Sequence, residues 1–288
     1  MNESGSSRWS AVSILAVALA LSACGGQGRT GHAPPDEASA YLQPPTLWAA
    51  ERAVDDAVRL SGRAPANALV RLRSPDGGGA MTRAGSNGLW SVILPAAASP
   101  RLYSIQAELP NREVRGEGAI AVMPPPGPLA LTLRAGFAGV PAGQGQRGRL
   151  ELTNVDYDGG GAAGGGFAPP LSRVRLTLDG GVVGLTNADA QGRFAVLATE
   201  RNITPGPHRI RVDTPEGLSL EEPVELNLMN LPPDQPFAAA RAPGGWLIGW
   251  RIPGGGVQSS LVFDQASSSG TPGSGAASGA PAPRGAAR

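Results

Sequence analysis

Short runs of alternating apolar and polar residues recur through the middle of the chain. In 69–73 the apolar positions are Val70 and Leu72, in 89–94 Trp90, Val92 and Leu94, and in 103–107 Tyr103, Ile105 and Ala107. Further on come Val174, Leu176 and Leu178, then Phe194 and Val196, then Ile210 and Val212. A period of two places such side chains on one face of a β-strand. Asp76-Gly77, Asn87-Gly88, Asp179-Gly180 and Gln191-Gly192 stand between the runs and supply turn chemistry. Many short strands separated by turns predict an all-β sandwich architecture.

The two sets of runs are related by one shift. Val70-Arg71-Leu72 returns as Val174-Arg175-Leu176, 104 positions later, and the same shift carries Thr82 onto Thr186, Gly88 onto Gly192, Trp90 onto Phe194 and Val92 onto Val196. A period of that length predicts duplicated domains and not a solenoid.

Leu60-Ser61-Gly62-Arg63-Ala64-Pro65-Ala66-Asn67-Ala68-Leu69-Val70-Arg71-Leu72 resembles the opening of bacterial Ig-like domains. Asn87-Gly88-Leu89-Trp90-Ser91-Val92 matches their later turn and strand, and Asn187-Ala188-Asp189-Ala190-Gln191-Gly192-Arg193-Phe194 matches that turn in the second copy. The second copy is also similar to carboxypeptidase-regulatory-like β-sandwiches. The resemblance spans 46–126 and, less closely, 147–228. It implies two tandem Ig-like β-sandwiches and brings no catalytic residues with it.

Near the start, Arg8 precedes an apolar run, 11–21, that ends in Leu21-Ser22-Ala23-Cys24. The run has the length of a signal-peptide core and is too short for a membrane span. Leu-Ser-Ala-Cys resembles the lipobox of bacterial lipoproteins. The resemblance implies a diacylglyceryl group on the Cys24 thiol, cleavage before it and acylation of the new amine by a palmitate-type chain. Cys24 is the only cysteine in the chain. Gly25 after it, where Asp would signal retention, resembles outer-membrane sorting. The expected organisation is a signal peptide (1–23), a flexible tether (24–45), Ig-like domain 1 (46–126) and a linker (127–146). Ig-like domain 2 (147–264) follows, ending in a hairpin across Pro253-Gly254-Gly255-Gly256, and then a disordered tail (265–288).

Composition narrows the chemistry. With 42 glycines and 28 prolines among 288 residues, 5% aromatics and 16% charged residues, a compact helical enzyme is disfavoured. All 24 basic residues are arginine, which removes the P-loop lysine and Schiff-base chemistry. One cysteine permits neither an internal disulfide nor a Cys-rich zinc site. The net charge is +1 with arginine scattered, so no nucleic-acid partner is expected. No cofactor is expected either.

Two groups of residues stand out as candidate sites. Trp246, Ile248 and Trp250 share one strand face. They form either an aromatic platform for a glycan or edge partner, or one wall of a sandwich core, which is the favoured reading. Asn154, Asp156 and Asp158 space oxygen ligands like the first half of a calcium loop, but Gly165 stands where its closing Glu belongs. This reads as a strand running into a Gly-rich inserted loop, 159–166, with at most weak Ca²⁺ affinity. Together these features point to a lipid-anchored, non-enzymatic binding or scaffold module of the bacterial envelope. Its partners would be the membrane through Cys24 and an envelope protein or polysaccharide. The alternatives are an accessory subunit of a secretion, pilus or attachment apparatus and, less well supported, a polysaccharide hydrolase using the Gly-rich insertion and nearby carboxylates.

Overall fold

A computed structural model describes residues 42–144, 148–198 and 202–264. Cys24, the expected signal peptide, most of the tether and the tail lie outside the described residues.

The first repeat folds as β1 (Thr46–Arg52), β2 (Val58–Arg63), β3 (Leu69–Arg73), β4 (Gly79–Arg83), β5 (Leu89–Leu94), β6 (Arg101–Leu109) and β7 (Arg112–Arg115). Three further strands follow: β8 (Ala119–Val122), β9 (Ala130–Arg134) and β10 (Phe137–Gly139). The second repeat is β11 (Glu151–Tyr157), β12 (Ala162–Phe167), β13 (Arg173–Leu178), β14 (Gly181–Asn187), β15 (Arg193–Leu197), β16 (Gly206–Asp213) and β17 (Ser219–Leu226). The last strands are β18 (Phe237–Ala242), β19 (Gly245–Arg251) and β20 (Val257–Phe263).

The repeat extends to the backbone. In the first copy β2 pairs β1 and β5, and β3 pairs β4 and β6. In the second, β12 pairs β11 and β15, and β13 pairs β14 and β16. Loop hydrogen bonds recur at the same shift. Ala64 N–H donates to Gly88 O at 2.9 Å and Ala168 N–H to Gly192 O at 2.8 Å, while Gly85 N–H donates to Leu89 O at 2.9 Å and Asp189 N–H to Arg193 O at 2.8 Å. Gly88 (φ 75°) and Gly192 (φ 81°) occupy the left-handed region that favours glycine. Each copy is an Ig-like β-sandwich, and the fold is all-β.

The copies are fused rather than strung on a linker. Four sheets stack in the order three-stranded (β1-β2-β5), seven-stranded (β10-β9-β8-β6-β3-β4, with β7 on β6), six-stranded (β15-β12-β11-β20-β19-β18) and four-stranded (β14-β13-β16-β17). The outer pairs enclose one core each. A third core lies between the two inner sheets, with Ala121, Met123, Leu131 and Leu133 on one side and Ile248, Trp250 and Val262 on the other.

The stretch expected as a linker therefore carries β9 and β10. Ile120 and Val122 face the first core while Ala121 and Met123 face the third, so β8 is apolar on both faces. Such two-sided burial abolishes the alternation that marks a half-exposed strand. The expected hairpin forms as β19 and β20, and β20 pairs β11 in the middle of the six-stranded sheet. The hairpin thus completes this chain's own sheet. The Gly-rich stretch read as an inserted loop is a tight turn followed by β12, an interior strand between β11 and β15.

Candidate functional site

Of the residues singled out in the sequence, Asn154, Asp156, Trp246, Ile248 and Trp250 meet at the seam between the two inner sheets. β10 is the outer strand of the seven-stranded sheet, so its free edge needs hydrogen-bond partners. Side chains from the six-stranded sheet supply them. Ala138 N–H donates to Asp156 Oδ2 at 2.7 Å, and Asn154 Nδ2 donates to Ala138 O at 3.1 Å and to Asp156 Oδ2 at 3.0 Å. Gly136 N–H donates to Gln258 Oε1 at 2.9 Å, and Ser260 Oγ donates to Asp156 Oδ1 at 2.5 Å. Asn154 and Asp156 stand two apart on β11, Gln258 and Ser260 two apart on β20, and all four are buried. The layer acts in place of a neighbouring strand.

Glycine makes room for this layer. A Cβ at Gly165 would lie 2.7 Å from Asn154 Oδ1 and 3.0 Å from the Ala138 carbonyl oxygen. Thr153 Oγ1 donates to the Gly165 carbonyl at 2.8 Å and fixes the same spot. Burial pushes the Asp156 carboxyl up to about 7, although hydrogen bonds from Ser260, Ala138, Gln258 and Asn154 favour its charged form.

This arrangement corrects the calcium reading. Asn154 and Asp156 are sealed inside, whereas Asp158 lies in the turn, its Oδ1 accepting from Gly160 N–H at 3.1 Å and Gly161 N–H at 2.6 Å. The alternation of β11 aims residues 154 and 156 at β10, away from solvent. The three oxygens do not converge. Among the described residues no group of three His, Cys, Asp or Glu side chains gathers as a metal site.

The aromatic face is a core wall, the favoured of its two readings, and not a platform. Ile248 (0% exposed) and Trp250 (2%) are walls of the third core, and Trp246 packs half-buried against it. The Arg241 guanidinium covers the Trp246 ring at 5.0 Å. Alternation identified the shared face. It could not reveal that the covering layer belongs to the first repeat and not to the second sandwich.

An exposed aromatic stands elsewhere. Trp48 on β1 is 47% exposed, with the Arg63 guanidinium 5.8 Å from its ring centroid. The signal for it was the apolar pair Leu47-Trp48 ahead of the first alternating run. His208 bonds through Nδ1 to Asp179 Oδ2 at 2.6 Å and through Nε2 to Thr204 O at 2.8 Å. Those contacts fasten the start of β16. The glutamates around Pro223 lie on β17, the outer strand of the four-stranded sheet.

No known protein family matches the chain. No curated protein matches it either. Among solved structures it is similar to the BSP domain of a biofilm-associated protein, at 15% identity over 66% of this chain and 30% of that one, with a TM-score of 0.24. It is also similar to the central fibronectin-III array of RIM-binding protein (13% identity, 72% of this chain, 80% of that one, TM-score 0.24). A third is a Ca²⁺-stabilized adhesin that helps an Antarctic bacterium reach out and bind ice (14% identity, 81% and 67% covered, TM-score 0.21). With scores this far below 0.5, the fold assignment rests on the strand order and registers above.

Proposed function

We propose that the chain is a lipid-anchored protein of the bacterial cell envelope that acts as a non-enzymatic binding or scaffold module. The observation that carries this reading is the four-sheet stack. Its chemistry-bearing interior residues are consumed in joining the sheets, and its outer faces, edges and turns are what remains for partners.

The hydrolase alternative loses its support for the same reason. It needed the Gly-rich insertion as a site, and that segment is the interior strand β12. Asp156, whose carboxyl pKa is raised by burial, is 1% exposed and is held between the inner sheets by Ala138, Asn154 and Ser260. Anchoring follows from Leu21-Ser22-Ala23-Cys24, in which the chain's one thiol stands where lipidation requires it. Several acyl chains at one terminus would hold the protein on a membrane, since each buried methylene adds about 0.8 kcal/mol.

Contact with a partner would come through outer faces and edge strands, by strand addition or loop contact. The terminal hairpin is unsuited to this, because β20 already has a strand on each side. The test is to cross-link the full chain in cells and isolate it from envelope fractions. Capture of one defined protein or polysaccharide at the outer sheets supports the reading. Turnover of an envelope glycan by the purified chain, abolished by a single carboxylate substitution, would overturn it.

A further inference from the structure

The outer face of the four-stranded sheet concentrates arginine. Val174, Leu176, Ile210 and Val212 point into the core, so Arg173 and Arg175 on β13 and Arg209 and Arg211 on β16 point outward. The strands are neighbours, with Arg175 opposite Asp213 and Thr177 opposite Arg211.

Two of the four guanidiniums are committed. Arg175 Nε donates to the Asp213 carboxylate oxygens at 3.0 and 3.1 Å, and Nη2 adds a third contact. Arg209 Nη1 donates to Glu221 Oε1 at 3.0 Å. Arg173 and Arg211 form no ion pair among the described residues. By the register they stand four positions apart along the strands, ~13 Å. Two grooves run between them, of about 500 and 440 Å³, sharing Arg175, Val182 and Asp213. The carboxylates of Asp179, Asp213 and Glu221 also line the larger one, the last directly across the strands from Arg211, but each is already paired, with His208, Arg175 and Arg209. Val182 (53% exposed) and Leu185 (58%) from β14 give one side an aliphatic surface.

We propose that this face binds an acidic polysaccharide, a linear chain of carboxylate-bearing sugars. A planar guanidinium fork matches a carboxylate, as Arg175 and Asp213 already demonstrate within the sheet. Two uncommitted forks ~13 Å apart suit a repeating anion better than one small ion. The exposed aliphatic side chains offer a surface for the C–H faces of sugar rings. Nucleic acid is disfavoured, because no aromatic side chain lines either groove for base stacking. The proposal rests on the reading of the chain as a binding module and names its ligand class.

The experiment measures binding of the full chain to polygalacturonate, with neutral dextran, polyglutamate and duplex DNA as comparators. Arg173→Gln/Arg211→Gln is set against Arg59→Gln/Arg101→Gln, which removes equal charge elsewhere. The expected result is polygalacturonate binding that weakens with salt, falls about tenfold or more in the first variant and is unchanged in the second. Arg173→Lys/Arg211→Lys, keeping charge but not the fork, should lose a few-fold. All variants should melt like the parent, since these side chains are exposed. Equal binding to dextran, tighter binding to polyglutamate or DNA, or equal losses in both Gln variants would overturn the proposal. If the chain captures envelope material yet ignores polygalacturonate, the ligand class is wrong and the binding-module reading stands. If it does neither, both fall.

Discussion

Asp156→Asn isolates the energetic role of the buried carboxyl that joins the inner sheets. In the native protein Oδ2 accepts from Ala138 N–H and Asn154 Nδ2, and Oδ1 lies against Ser260 Oγ. An asparagine can keep its carbonyl oxygen at the first position and aim its amide at the Ser260 hydroxyl, which can accept. Geometry is preserved and the titration is removed. Burial holds the native carboxyl at about 7 against an ordinary 3.8. Folded protein therefore binds a proton that unfolded chain has released between those values. Stability must fall as pH rises from about 4 to about 7 and then level off. At about 1.4 kcal/mol per pH unit the gap amounts to about 4 kcal/mol.

Other groups share the direction of this effect. Burial lowers the pKa of His208, but Asp179 and the Thr204 carbonyl outweigh it and raise the pKa above 6.5. Its stabilisation is thus present below 6.5 and lost above. Glu151 and Glu222, raised by burial, lose stability with rising pH at the acid end. These contributions are common to both proteins and cancel in the comparison. Urea unfolding at pH 5 and pH 8 should give a native protein markedly weaker at pH 8 and an Asp156→Asn protein with a much flatter profile. At pH 8 the variant should equal or exceed the native protein. A variant weaker by more than about 1 kcal/mol at pH 8, with the native slope unchanged, would contradict a buried carboxyl that titrates near neutrality.

Three further outcomes follow from the same structure. Trp250→Ala should cost about 3–5 kcal/mol in urea unfolding. Trp250→Phe should cost far less, because the buried indole N–H has no hydrogen-bond partner to lose; similar costs for the two would contradict the packing described. Gly165→Ala should lower stability by about 1–3 kcal/mol by pressing on Asn154 and the Ala138 carbonyl. Gly160→Ala, with open space around its Cβ, should be near neutral in the same thermal melt. Leu171 (φ 63°, 73% exposed) occupies the left-handed position that Asn67 (φ 61°) fills in the first repeat, so Leu171→Asn should stabilise by about 1 kcal/mol. A lower melting temperature for that variant would contradict the equivalence of the two loops.

What the sequence revealed and what it hid divide along one physical line. β3, β5, β13 and β15 face a core on one side and solvent on the other, so Val70, Trp90, Val174 and Phe194 stood out by alternation. β8, β9 and β12 are covered on both faces. Ala130-Leu131-Thr132-Leu133 therefore has no polar face to mark it, and its Pro- and Gly-rich surroundings read as a linker. In β12 glycine is required by what lies over it and not by a turn. Phe237-Ala238-Ala239-Ala240 showed no period of two and hid β18. The polar layer did leave a trace. Asn154 and Asp156 interrupt one apolar strand at alternate positions, and Gln258 and Ser260 interrupt another. Pairing those interruptions would have placed the four residues together, inside the protein rather than at a calcium site.

The lipid anchor is the premise on which the proposed role depends, and mass spectrometry of the membrane-extracted protein tests it most directly. The expected result is a mature amino terminus at Cys24 carrying a thioether-linked diacylglyceryl group, with Cys24→Ser leaving the protein uncleaved at that point and without lipid. A mature terminus elsewhere, or an unmodified Cys24 thiol on protein recovered from the soluble fraction, would contradict it.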